Sequence, residues 1–522
     1  MLQTTQSPGE PSIDGRKVIA FIAMIFGMFM AILDIQIVSS SLAEIQAGLS
    51  ASSEEASWIQ TSYLIAEVIM IPLSGFLGRL LSTRVLFSLS ATGFTIASIL
   101  CATATSINEM IIYRAIQGFI GGAMIPSVFT AAFTIFPPSK RSIVSPLVGL
   151  IATIAPTIGP TVGGYLSHDF SWHWLFLINV PFGVAVAILS WKFIDFDKAN
   201  HTLFKKFDWW GLLGMGACLG SLEYILEEGP RHEWLQDTSI FVCSIIMILG
   251  GLLFFWRATT AAEPIADISA FRNKNFALGC TFSFVLGIGL YGLTYLYPIF
   301  LGSIRGYDSL MIGETMFLSG LSMFISAPLA GILSTRLDAR LMMLLGFIGF
   351  AIGTWMPISI TSEWDFWELF WPQIFRGFSI MLCMVPINNI ALGTLPLDQV
   401  QKASGLFNLT RNLGGAVGLA AISSILTKRG DFHYARLAES ISWNNTQAQG
   451  LLETLSHSLN IGLESQGVAL MQLYGMTRQQ ASVMAFSDAF LLLTFIFLGL
   501  SLLIFVLEKP PKSVGNSDII GH

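Results

Sequence analysis

The stretch IPLSGFLGRLLSTRVL (Ile71–Leu86) returns 256 residues later as APLAGILSTRLDARLM (Ala327–Met342), with Pro72, Gly75, Leu77 and Arg84 answered by Pro328, Gly331, Leu333 and Arg340. Each copy is an apolar run that ends in an arginine-bearing turn. A second pair, Gln117-Gly118-Phe119 and Arg376-Gly377-Phe378, recurs in the same order at an offset of 259. Two matches at nearly equal offsets describe a doubled chain.

Working outward from the repeat, the composition fixes the solvent. Of 522 residues, 53% are hydrophobic and 11% charged, against about 25% charged in an ordinary soluble domain. Mostly apolar runs, each long enough to cross roughly 30 Å of hydrocarbon, recur along the whole chain. They fall at 18–42, 56–77, 85–105, 109–135, 143–167, 172–194, 209–227, 239–257, 277–302, 309–333, 340–361, 366–394, 403–427 and 485–507. The expected fold is therefore an all-α polytopic membrane protein of about fourteen transmembrane helices. The repeat divides it as 6+2+6: a half over 18–194, an inserted pair with its loops over 195–276, and a second half over 277–507.

Lysine and arginine orient it. With both termini inside, the inner segments, including tails 1–17 and 508–522, hold 18 of the 27 basic residues, the outer loops six and the spans three. That bias favours cytoplasmic termini. The first apolar run has a polar leader and no small-residue cleavage site after it, so it reads as an uncleaved span. The five cysteines all sit in spans with no metal-ligand spacing and read as buried thiols, and no metal site is expected. No Gly-x-x-x-x-Gly-Lys-Ser/Thr loop and no His-Glu-x-x-His cluster occurs, which argues against an ATP-driven pump and a membrane enzyme.

Span five carries APTIGPTVGGYL (Ala155–Leu166), where Ala155, Gly159 and Gly163 recur every four residues. That spacing makes a smooth helix face against which a second helix packs closely. Pro156 and Pro160 remove backbone donors and bend the helix, and Gly164 extends the small-residue run. With YRAIQGFIGGAMIP (Tyr113–Pro126) in span four and SWHWLFLINVPFG (Ser171–Gly183) after span five, the chain resembles the fourteen-helix drug:proton antiporter branch of the major facilitator superfamily, EmrB/QacA type. LDIQIV (Leu33–Val38), EPIADISAFRNKNFALGC (Glu263–Cys280) and GMTRQQAS (Gly475–Ser482) extend the resemblance over nearly the whole chain. It implies a major facilitator fold and proton-coupled efflux of hydrophobic or amphipathic compounds across a bacterial inner membrane. The energy source is then the proton gradient, with no cofactor and no nucleic-acid partner. A dedicated exporter of one metabolite, siderophore or fatty acid would carry the same motifs.

In the resembling family, the span-five motif lies where the halves meet and prevents leakage during exchange; a face for packing alone is the other reading. The loop after span two departs from the superfamily pattern: Gly75 is kept, but Arg79 stands where an aspartate is usual and Ser82 where the second glycine is. Arg79 and Arg84 serve either that motif or simple orientation.

Charge inside hydrocarbon costs roughly 2.5–3.5 kcal/mol per residue, so each instance needs a cavity or a partner. Asp34 in span one and Arg114 in span four fall at similar depth and are placed to pair; they match the positions that the family associates with proton coupling and its control. Binding of a cation and binding of a proton at one carboxylate exclude each other, which is antiport by competition for charge. Glu67 in span two, one turn from Tyr63, serves either the cavity or a structural hydrogen bond. Glu223, in the inserted pair, is expected to pack outside the transport core. Gln117, Tyr291, Tyr295, Arg376, Asn388, Asn389, Asn408 and Arg411 are candidates for polar contacts in a permissive pocket, with interhelical bonding as the alternative.

Residues 428–484 form the longest outer segment. Thr477 followed by Gln480 has the form of a capping box, so a short helix is expected to start there. In EmrB-like relatives this segment faces the periplasm, where a membrane-fusion adaptor and an outer-membrane channel complete the route. A solvated loop is the plain alternative.

Overall fold

The computed structural model describes residues 14–137, 140–441, 446–459 and 465–507; the rest of the two expected tails lies outside them. All regular structure there is helical. The first six expected spans are α1 (Gly15–Ser40) with a short α2 (Leu42–Gly48), α3 (Ser53–Leu81), α4 (Thr83–Ala102), α5 and α6 (Ile107–Gly121, Met124–Ile135), α7 (Arg141–Asp169), and α8 with α9 (Trp174–Leu177, Asn179–Phe193). The expected inserted pair falls on α10 (Trp209–Glu228) and α11 (Thr238–Thr260). Then come α12 (Lys274–Ser303), α13 (Ser309–Arg336), α14 (Ala339–Trp355), α15 (Phe366–Gly393), α16 (Leu397–Ser440), α17 (Thr446–Leu459) and α18 (Ser465–Leu503).

Every expected span thus coincides with a helix. Twelve of these helices are long and apolar enough to cross a membrane, or thirteen when α7, bent by 41° at its Pro156 break, is taken as one span. The one left over is α10, whose last two turns carry Glu223, Glu227 and Glu228. Its neighbour α11 turns Phe241, Ile248, Leu252 and Phe255 outward, as a helix bathed in lipid must.

The sequence repeat reappears as packing. Gly118 on α5 lies against the backbone carbonyl of Tyr63 on α3, and Gly377 on α15 lies against that of Ser319 on α13. Both glycines admit the neighbouring backbone where any Cβ would collide, as close helix crossings in membranes require.

The halves meet along one face. Gly75 abuts the backbone of Gln401 and Lys402, Gly405 abuts that of Ile71 and Pro72, the hydroxyls of Thr130 and Ser404 are 2.6 Å apart, and Ser145 donates to Asn389 at 2.8 Å. Helix α7 completes the seam, with Gly149 against Met384 and Thr161 against Gly313.

The segment 428–484 departs from its expectation. Helix α16 runs unbroken through 44 residues, about 66 Å at 1.5 Å per residue and twice the hydrocarbon thickness, so it projects from the membrane. Helix α18 continues inward from Ser465, and Thr477 lies inside it, its hydroxyl donating to the Leu473 carbonyl at 2.7 Å. No helix starts there, because long-range contacts override the local signal. Arg478 pairs with Asp431 at 2.9 Å, Arg429 and His433 share Asp488 at 2.5 and 2.8 Å, and Tyr434 stacks edge-on to Tyr474.

Candidate transport site

Helix α1 presents two faces with different chemistry. One carries Asp34, buried with no exposed surface, into the interior of the first half. Arg114 reaches it from α5, Nη1 to Oδ2 at 2.6 Å, and the same nitrogen donates to Gln117 Oε1 at 2.7 Å. Gln117 Nε2 turns back to Asp34 Oδ1 at 3.2 Å and to the Ser98 hydroxyl at 2.9 Å. Asn179 Nδ2, on α9, donates to Asp34 Oδ1 at 2.7 Å. The Arg114 guanidinium lies 4.2 Å from the Tyr63 ring centre and bonds the Ile59 carbonyl through Nε at 3.3 Å. Helices α5 and α9 therefore bond the α1 carboxylate directly, α3 and α4 brace the residues that do so, and the expected pairing of Asp34 with Arg114 is met. A buried ion pair offsets its desolvation only when its remaining donors and acceptors are engaged; here Arg114 Nη2 is left without a partner.

The other face of α1, through Ile32, Ile35 and Gln36, lines a cavity of about 360 Å³. Its far wall is α12, with Tyr291, Thr294 and Tyr295, and α16, with Asn412 and Ser423. Glu67 of α3 lines it as well, only 2% exposed and with Oε1 lacking any partner. Pro160, one turn past the bend of α7, also lines the cavity.

Of the polar candidates, Glu67, Tyr291 and Tyr295 border this cavity, whereas Tyr63, Gln117, Arg376, Asn388, Asn389, Asn408 and Arg411 do not. Tyr63 and Gln117 are taken up by the Asp34 network. Arg376 donates to Thr294 at 2.6 Å and to Gln373 at 3.3 Å. The Arg376–Gln373 pair mirrors Arg114–Gln117 at the 259-residue offset with the two residue types exchanged. Arg411 bonds Asn408 at 2.5 Å and lies over the Phe129 ring, 5.0 Å from its centre, which bridges the halves. Asn389 accepts from Ser145 in the seam, and both side-chain atoms of Asn388 are buried without partners.

The span-five face is occupied. Gly159 lies against Gln36 and Gly163 against the Ile37 carbonyl and Ser40, so α7 touches α1 along the small residues, with Ala155 fully buried. Around the loop motif, Arg79 pairs with Glu263 at 3.3 Å, Lys402 with Asp267 at 2.9 Å, and Arg84 stacks on Trp191. The carboxylates that meet these cations come from the segment before α12 and not from the loop itself.

Two features escaped sequence reasoning. Asn179 sits in a stretch singled out for its family likeness, yet one amide in an apolar run has no spacing that marks it. The inserted helix α10 does not stand outside the core: it packs on α3 and α16 and brings Glu223 and Glu227 to the cavity.

A doubled helical bundle with a central cavity and a sealed charge network defines a membrane carrier, not an enzyme. The Major Facilitator Superfamily model matches residues 24–419, and the chain belongs to that superfamily. It is 43% identical over 495 residues (94% of this chain, 96% of the relative) to the colistin resistance protein EmrB of Acinetobacter baumannii. It is 30% identical over 519 residues (98% and 99%) to the multidrug export protein EmrB of Escherichia coli K12. The fatty acid resistance protein FarB of Neisseria gonorrhoeae is 29% identical over 507 residues (97% and 98%). Among solved structures, the human organic anion transporter MFSD10 shares the fold at a TM-score of 0.56 and 13% identity, covering 94% of this chain and all of that one. The chain is thus an EmrB-like, multi-pass efflux transporter of the bacterial inner membrane.

Proposed function

We propose that the chain exports hydrophobic or amphipathic compounds in exchange for protons. In this reading it is a fourteen-span carrier in a 6+2+6 arrangement, with tails 1–17 and 508–522 in the cytoplasm and 428–484 in the periplasm. The observation that carries the proposal is Asp34: a carboxylate without exposed surface, on the helix whose opposite face lines the cavity. Protonation of Asp34 ends its ion pair and leaves Arg114 with an uncompensated charge, so the helices that meet there must rearrange. Deprotonation restores the pair. Coupling then follows because the arrangement with the pair intact and the one without it favour different openings. Arg376 and Arg411 act in this scheme as interhelical braces, and the α1–α7 face keeps the path sealed while the halves move.

With the loop-motif face inside, the closed seam of Gly75, Gly405, Thr130 and Ser404 seals the cytoplasmic side and the cavity opens outward. The projecting ends of α16 and α18, with α17, then stand in the periplasm, where a membrane-fusion adaptor and an outer-membrane channel would complete the route. The energy comes from the gradient alone, with no cofactor. The likeness to FarB, a fatty acid resistance protein, supports a second reading, a dedicated exporter of one fatty acid, siderophore or other metabolite.

The test is energised ethidium export from an efflux-deficient Gram-negative strain, with and without a protonophore. The proposal expects the protonophore and Asp34→Asn each to abolish export. Normal export by Asp34→Asn would remove the coupling role. Failure of the wild type to export ethidium, with saturable export of a long-chain fatty acid, would move the second reading ahead.

A further inference from the structure

The cavity's charge is unbalanced. Glu67, Glu223 and Glu227 line it together with a single cation, Arg231. Arg231 stands 3.6 Å from Glu228, whose carboxylate also accepts from Thr61 at 3.3 Å, and acts on Glu227 as well, so this one cation is shared between Glu228 and the cavity carboxylates. None of the ion pairs among the described residues involves Glu67, Glu223 or Glu227. Glu67 is nearly sealed from solvent, with Oε1 unpartnered at the cavity wall. A buried carboxylate in that position is costly unless a proton or a cation neutralises it.

The geometry of α10 decides what cation fits. Glu223 and Glu227 are four residues apart on one helix, so they share a face and stand about 6 Å apart along its axis. Glu67 approaches from α3, against which α10 packs. Tyr291 and Tyr295 supply aromatic surface opposite, which suits planar or quaternary cations. One monovalent cation needs one of these carboxylates; the α10 pair adds a second centre of negative charge beyond Glu67.

We propose that α10 is a wall of the substrate cavity and that Glu223 and Glu227, together with Glu67, form a recognition site for amphipathic ligands bearing two positive charges. The inserted helix therefore sets specificity and does not merely fill space beside the bundle. The inference rests on the export reading but is separable from it, because binding is measured without a gradient.

The probes are ethidium, a monocation, and propidium, which carries the same ring system and a second, quaternary charge. Both are titrated against the purified full-length protein in nanodiscs. In Glu223→Gln/Glu227→Gln the dissociation constant for propidium is expected to rise about tenfold or more while that for ethidium stays within about threefold. Glu223→Asp/Glu227→Asp, which keeps both charges, is expected to retain the preference for propidium. Propidium affinity unchanged in the glutamine variant, or an equal loss for both dyes, overturns the proposal. Should the double variant not elute as a single species, Glu227→Gln alone reads the same ratio. A wild type that binds propidium more tightly than ethidium, and loses that preference in the glutamine variant, but exports neither dye would count against the export reading and leave the recognition site standing.

Discussion

At the scale of single residues the protein is organised around carboxylates whose neighbours differ. Asp34 is held by a guanidinium and two amides, while Glu67 faces open space from a nearly sealed wall. Removing one member of a buried pair leaves the other charge stranded, so Arg114→Leu is expected to lower stability by about 3–5 kcal/mol. The loss reads out as earlier thermal unfolding of the purified carrier. Asp34→Leu/Arg114→Leu is expected to recover most of it, since neither charge remains; a double variant as unstable as the single one would show that the pair is not what the bundle depends on. Asp34 and Arg114 were visible in the sequence because charge is rare in an apolar run. Asn179 was not, because an amide in such a run carries no comparable contrast.

At the scale of elements, α7 is the helix to perturb. It lies between α1 on one side and α13 and α15 on the other, and its small residues set the distance to α1. Gly163→Val places methyl groups against the Ile37 carbonyl and Ser40, where no room exists, and is expected to part the two helices and raise passive proton flux in proteoliposomes several-fold. Flux equal to the wild type would mean that this face only packs. The spans were legible because twenty-odd apolar residues have one solution in a bilayer. The outer ends of α16 and α18 were not, since their helicity depends on partners 47 to 59 residues away: Arg478 with Asp431 and Arg429 with Asp488. Thr477 and Gln480 offered a local start signal that those contacts overrule. The place of α10 was hidden for a related reason, for the sequence gives its length and charge but not the helices it lies against.

At the scale of the whole molecule, the closed seam predicts a lock. Thr130 and Ser404 belong to opposite halves and their hydroxyls are 2.6 Å apart. In a variant whose native cysteines are replaced, Thr130→Cys/Ser404→Cys is expected to cross-link under mild oxidation, stop export and recover it on reduction. Cross-linking that leaves export intact would show that this contact survives the whole cycle. The doubling itself was readable from two short matches, and Gly118 and Gly377 show why it persists: each half needs the same bare backbone at the same crossing.

One consequence follows from the unbroken course of α16. Ser404 at the seam and His433 beside Asp488 are on the same 44-residue rod, roughly 44 Å from one to the other at 1.5 Å per residue. A rod pivoting at one end sweeps its far end through an arc, so each 10° of tilt carries the tip roughly 7–8 Å. Spin labels at Arg436 and on a fixed outer loop would record that swing as the carrier turns over. On the proposed export reading the projecting end of α16 would act as a pointer, and a protein that gripped it would feel mechanically which way the gate stands.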